Sequence, residues 1–185
     1  NERLKGVSRM RSLDLLLETG GFPENSFTAT QKEELAARKN AWYVEYISRM
    51  TPDEILPGVL SFLAGARADG MRTALGSASR NTGIILDRLK IGGLFDAVVD
   101  GTMVTRTKPD PEVFLRCASL LGDNILPAEC VVFEDAAAGI EAAVAAGMYS
   151  VGIGTLQRLK QADLVVPGFG GITWQEIKNQ LSTKV

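Results

Sequence analysis

The 185 residues predict an α/β fold, a doubly wound parallel sheet with a small α-helical cap domain ahead of it. Three observations carry that reading. From about residue 58 onward, short apolar runs of strand type alternate strictly with helix-period segments, the pattern of βαβ units in a parallel sheet. Residues 1–50 show helical spacing and no convincing strand. The run Val131-Val132-Phe133-Glu134-Asp135 ends an apolar strand in two adjacent carboxylates, with a small-residue helix directly behind. In open α/β sheets, ligands bind beyond the carboxyl ends of the strands.

Composition narrows the function classes. Twenty basic against 22 acidic residues leave a net charge of −2, with no electrostatic case for nucleic acid or an anionic membrane. The chain has no histidine, so Ser-His-Asp triads and His-bound zinc are excluded. Acid–base chemistry must rest on carboxylates, lysine or water. Cys117 and Cys130 sit in apolar helix-like and strand-like contexts, as buried thiols in a reducing compartment do, which points to the cytoplasm.

Taken in order, Ser8 can cap a helix holding Met10, Leu13, Leu16 and Leu17, which Gly20-Gly21-Phe22-Pro23 stops. Thr30 with Glu33 forms a capping-box pattern, and Leu35, Tyr43, Tyr46, Ile47 and Met50 then follow one helical face. These residues make up the helical domain at 1–50. Pro52 and Pro57 mark a hinge at 51–57. The α/β domain at 58–185 follows. Its expected strands are Thr73–Leu75, Ala97–Val99, Cys130–Phe133, Ser150–Ile153 and Leu164–Val166, with helices between and a last amphipathic helix through Trp174, Ile177 and Leu181.

Three polar groups follow strand or loop ends. Ser77-Ala78-Ser79-Arg80-Asn81 lies where a strand gives way to a helix N-terminus, which suits a phosphate oxygen, or simply a Ser/Asn helix cap. Lys108 lies in Lys108-Pro109-Asp110-Pro111, a stiff turn that fixes where the ammonium points, or only a turn. Glu134 and Asp135 repel each other unless a cation sits near, and a hard oxygen-seeking ion such as Mg²⁺ answers that need. Asp135 as an N-cap is the alternative there. Together, a hydroxyl, an ammonium and a carboxylate pair around one sheet edge describe a phosphoryl-transfer site.

At these residues the chain resembles the haloacid dehalogenase superfamily of phosphotransferases, in its second, third and fourth motifs. The implied fold is that superfamily's Rossmannoid core. Leu4-Lys5-Gly6-Val7-Ser8-Arg9 and Ala37-Arg38-Lys39-Asn40 are similar to cap segments of the sugar phosphomutases within it. The resemblance implies that Ser77 and Lys108 hold the phosphoryl group in transfer and that Asp135 ligates Mg²⁺ with help from Glu134. It further implies that Arg9, Ser79, Arg80 and Asn81, with Ala78 in the same turn, grip a second phosphate, and that Lys39 faces the sugar.

The superfamily's first motif, an Asp-x-Asp ending a first strand, has no counterpart here. In the family that strand lies between the strands ending at Ser77 and Glu134. The expectation is therefore that the nucleophilic Asp belongs to an N-terminal segment outside this sequence, at least about 25 residues long for one strand, one connection and one helix. Three functions follow from the resemblance. The first is interconversion of β-glucose 1-phosphate and glucose 6-phosphate through an aspartyl phosphate. The others are a Mg²⁺-dependent sugar-phosphate phosphatase and a non-catalytic remnant that binds a phosphorylated sugar or a partner. A small phosphorylated sugar is the expected ligand, and a monomer the expected state, since cap opening is easiest there.

Overall fold

A computed structural model describes residues 9–23 and 25–183. Among these, helices α1 (Arg9–Thr19) and α2 (Ala29–Ile47) pack on each other. Lys32 reaches back from α2 to Asp14 of α1 at 2.9 Å. Then come α3 (Val59–Ala68), β1 (Ala74–Gly76), α4 (Thr82–Leu89), β2 (Ala97–Val99) and α5 (Glu112–Leu121). They are followed by β3 (Val131–Glu134), α6 (Ala137–Ala145), β4 (Tyr149–Ile153), β5 (Leu164–Val166) and α7 (Trp174–Ser182). This is the α/β core that the alternation predicts, behind a helical cap, and it agrees with the Rossmannoid core that the resemblance implies. Ser8 and the segment from Leu4 lie outside the described residues.

Two details of the cap differ from the sequence reading. The capping box of α2 is Thr28 with Gln31, not Thr30 with Glu33. Gln31 N–H donates to Thr28 Oγ1 at 3.2 Å and Thr28 N–H to Gln31 Oε1 at 2.9 Å. Thr30 already lies inside the helix, where its hydroxyl has no terminal N–H to satisfy. The buried face of α2 runs through Ala36 and Ile47, while Tyr46 is 66% exposed. Tyr46 and Ile47 are successive residues, about 100° apart around the helix, and of the two it is Ile47 that packs inward, at 1% exposed.

The strands are parallel throughout and form two groups, β1–β2 and β3–β4–β5. In the first, Ala74 pairs with Ala97 and Gly76 with Val99. In the second, Glu134 pairs with Gly152 and Ile153 with Val166. Helix α5 covers β1 and β2, and α6 covers β3 and β4. One apolar core joins them through Val99, Phe114, Val132 and Ala142. A second core on the far side of β4 gathers Phe62, Val151, Trp174 and Ile177. Phe62 meets Phe133, Phe169 and Trp174 edge-on there. Trp174 Nε1 and Lys178 Nζ both donate to Asp69 Oδ2, at 2.9 and 2.7 Å, tying α7 to the end of α3.

No ladder joins β1 to β3 among the described residues. Instead a cavity of about 960 Å³ lies between them, lined by Leu75, Gly76, Val131, Phe133, Phe114 and Cys117 among others. Burial in these walls pushes the Cys117 thiol up to about 11. Both cysteines are free thiols; Cys117 is buried and Cys130 half-buried. None of the described helices is long and apolar enough to cross a membrane.

Candidate functional site

β1 and β3 deliver the two sides of the site. Backbone geometry builds the first side. The Ser77 N–H extends the β1–β2 ladder by donating to Val99 O at 2.9 Å, after which the chain leaves the sheet. Ser79 N–H donates to Ser77 Oγ at 3.1 Å, and Asn81 N–H to Ser79 Oγ at 3.1 Å. A serine hydroxyl has one proton to donate and two lone pairs to accept with. Both hydroxyls here accept from backbone, so each retains its own proton for an incoming acceptor. Ala78 lies between them, half-buried. Gly101, in the turn after β2, backs it closely: its N–H donates to Ser79 O at 3.1 Å, and a Cβ there would overlap the Ala78 carbonyl. Arg80 is exposed at the rim.

On the second side, Glu134 is the last residue of β3. Its Oε2 accepts from Asp135 N–H at 3.1 Å and Ala136 N–H at 3.3 Å. The carboxylate thus lies at the N-terminal end of α6, where the helix dipole favours negative charge. Gly139 permits this, because a Cβ at that position would overlap the Glu134 carboxyl group. The N-cap of α6 is Ala136, and no side chain caps the helix, so Asp135 does not take the capping role open to it. Its side chain is exposed at the strand tip.

Lys108 joins the two sides. The loop from Asp100 to Pro111 carries it to a position only 8% exposed. There its ammonium pairs with Glu134 Oε1, donates to Gly76 O at 3.3 Å, and lies 4.6 Å from the centroid of the Phe114 ring. Residues 32 and 26 positions from Lys108 in sequence meet at one ammonium. Ser77, Lys108, Glu134 and Asp135 therefore belong to one locality at the carboxyl ends of β1 and β3.

The loop is held from outside by Glu112. Its carboxylate accepts from Thr105 N–H at 3.0 Å, Arg106 N–H at 2.7 Å and Thr105 Oγ1 at 2.9 Å. The Thr105 and Arg106 backbone N–H groups hold the Glu112 carboxyl down at about 2. Sequence reading missed this residue; the signal was a carboxylate in the first turn of α5, ordinarily read as a dipole partner.

The cap supplies the remaining predicted residues. Arg9 is the first residue of α1 and exposed. Lys39, on α2, donates to Ser12 Oγ at 3.4 Å, a contact within the cap. Its neighbour Asn40 crosses to the core: Asn81 Nδ2 donates to Asn40 Oδ1 at 2.9 Å.

Among the described residues no three His, Cys, Asp or Glu side chains stand together as an ion-binding cluster. The donors present nevertheless fit Mg²⁺, which is commonly held by one or two carboxylates with water and substrate phosphate completing the octahedron. Asp135 is placed for that at the strand tip. Glu134 is already engaged on both oxygens, which suits a supporting role.

The haloacid dehalogenase-like hydrolase family profile matches residues 4–147. The chain is 45% identical over 166 residues to the β-phosphoglucomutase of Bacillus subtilis, covering 90% of this chain and 72% of that one. It superimposes on the crystal structure of a β-phosphoglucomutase from Clostridium difficile with TM-score 0.90 and 39% identity, over 99% of this chain and 81% of the other. A fructose-1-phosphate phosphatase of Escherichia coli is 45% identical over 83 residues, 45% of this chain and 43% of that protein, so this match spans less than half of either. The chain belongs to the haloacid dehalogenase-like hydrolase family, as a β-phosphoglucomutase-like member.

Proposed function

We propose that the protein transfers a phosphoryl group on a sugar phosphate with Mg²⁺, converting β-glucose 1-phosphate to glucose 6-phosphate. The observation that carries this is the buried Lys108 ammonium bridging the tips of β1 and β3, with the Ser77 hydroxyl on one side and the acidic pair on the other. Similarity to two β-phosphoglucomutases supports the choice of substrate.

In this reading Ser77 and Lys108 hold the phosphoryl group in transfer. Lys108 contributes a fixed positive charge in a water-poor setting, where it stabilises developing phosphoryl charge more than in bulk solvent. Glu134 keeps the ammonium aimed at the site. Asp135, aided by Glu134, would hold Mg²⁺, which when bound would neutralise charge on the phosphate oxygens. Arg9, Ser79, Arg80 and Asn81 would grip the second, non-transferring phosphate, and Lys39 would face the sugar. The reaction also calls for a nucleophilic carboxylate, passing through an aspartyl phosphate. The cavity bounded by β1 and β3 is lined by Gly76 and Glu134, both partners of Lys108, where such a carboxylate would act. We assign the protein to the cytoplasm, acting as a monomer.

A phosphatase reading rests on the similarity to a fructose-1-phosphate phosphatase. It differs only in letting water take the phosphoryl group, and cap closure that excludes water favours the mutase. Asp135→Asn in the whole protein tests the metal assignment. Mg²⁺-dependent turnover should vanish, and near-normal turnover refutes the role.

A further inference from the structure

Two residues in this fold sit against their local preferences, and they sit against each other. Asparagine is among the strongest N-cap residues, and Asn81 occupies the N-cap position of α4, yet its side chain makes no capping bond. Asparagine is also a poor residue for a helix interior, and Asn40 lies inside α2. The two carboxamides meet instead at 2.9 Å, 41 residues apart in sequence. Local rules broken at both ends of one contact mark a contact with a purpose.

The start of α4 is held by other means. Thr82 Oγ1 donates to Ser79 O at 2.8 Å, so the Asn81 side chain can turn towards the cap. At the other end of α4, Arg88 Nε donates to Met50 O at 3.3 Å, beside the connection from cap to core. α4 is thus touched by the cap module at two points, one near the connection and one further along α2.

We propose that Asn40 is a positioning residue: it latches α2 onto the start of α4 and fixes the Asn81 carboxamide for the ligand phosphate. In this contact the Asn40 carbonyl oxygen accepts one Nδ2–H of Asn81, holding the amino end of that amide and leaving its second N–H for an incoming anion. An amide turned the other way would present a carbonyl oxygen where an anion needs a donor. The binding part rests on the phosphate role given to Asn81 above; the latch itself does not.

The test is made on the full-length protein with Asn40→Ala, Asn40→Asp, Asn81→Ala and the Asn40→Ala/Asn81→Ala double variant. The first readout needs no substrate. Hydrogen exchange in α2 around Asn40 and in the first turn of α4 should rise about three- to tenfold in Asn40→Ala, the scale of one lost hydrogen bond. It should stay near wild type in Asn40→Asp, which keeps an acceptor, and the double variant should exchange no faster than either single one. Unchanged exchange in Asn40→Ala, or effects that multiply in the double variant, overturns the latch whatever the substrate is. The second readout is the kinetic split. Asn40→Ala should raise KM for β-glucose 1-phosphate several-fold and leave hydrolysis of acetyl phosphate, which is too small to reach the cap, unchanged. Equal losses on both overturn the positioning role. Raised exchange with no turnover of β-glucose 1-phosphate even in the wild type would overturn the substrate assignment instead, and the latch would stand.

Discussion

The Lys108 ammonium and the Glu134 carboxylate form an ion pair buried between the ends of β1 and β3, with side chains 6% and 10% exposed. Each charge is satisfied further, Lys108 by Gly76 O and Glu134 by two N–H groups at the start of α6. A buried pair of this kind contributes little net stability over an apolar replacement, but removing one partner strands the other.

Lys108→Ala should therefore cost about 3–5 kcal/mol in chemical denaturation, the range for breaking a buried ion pair. Lys108→Ala with Glu134→Ala together should recover part of that loss. A double variant as unstable as the sum of the singles would show that the two side chains do not act as a pair.

The pH dependence of the Lys108 loop follows from Glu112. Its carboxyl is held at about 2 against an ordinary 4.5, so the unfolded chain takes up this proton first as pH falls. The resulting stabilisation is complete above 4.5 and is lost as pH drops from there towards 2. Comparing wild type with Glu112→Gln by thermal melts should give a constant difference near neutrality that shrinks through this window. A difference independent of pH down to the lower limit would rule out the carboxylate's contribution.

How much of this was legible in the sequence depends on how local the signal was. Strands such as Ala97–Val99 and Leu164–Val166 were readable because a buried parallel strand is a short, purely apolar run between breakers. The capping box of α2 was misplaced because Thr28/Gln31 and Thr30/Glu33 offer the same pattern two residues apart. Apolar spacing puts Tyr46 on one helical face with Ile47, but spacing does not say how much of that face is covered, and large amphipathic side chains such as Tyr46 often lie along the surface. Ser77, Lys108, Glu134 and Asp135 were each visible as polar residues after strand or loop ends. The Lys108–Glu134 pairing and the Asn40–Asn81 bond were not, because they depend on how distant elements cross.

The α2 correction has a direct test. Ile47 is 1% exposed, so Ile47→Ala should cost about 2–5 kcal/mol, as buried large-to-small changes do. Tyr46→Ala, at an exposed position, should stay within about 0.5 kcal/mol. Denaturation curves in which Tyr46→Ala costs more would return Tyr46 to the core.

Arg9, exposed at the head of α1, separates a phosphate-gripping role from a solvated charge. Arg9→Ala should depress mutase activity far more than hydrolysis of a small acyl or aryl phosphate. Equal losses on both substrates would argue against a second phosphate site on the cap.

The most direct measurement follows the phosphorus of β-glucose 1-phosphate through turnover by the whole protein with Mg²⁺, using phosphorus NMR. The account predicts that the signal moves to glucose 6-phosphate with little inorganic phosphate released. Release of inorganic phosphate as the main product would contradict the mutase and favour the phosphatase, and no turnover at all would contradict phosphoryl transfer on this sugar.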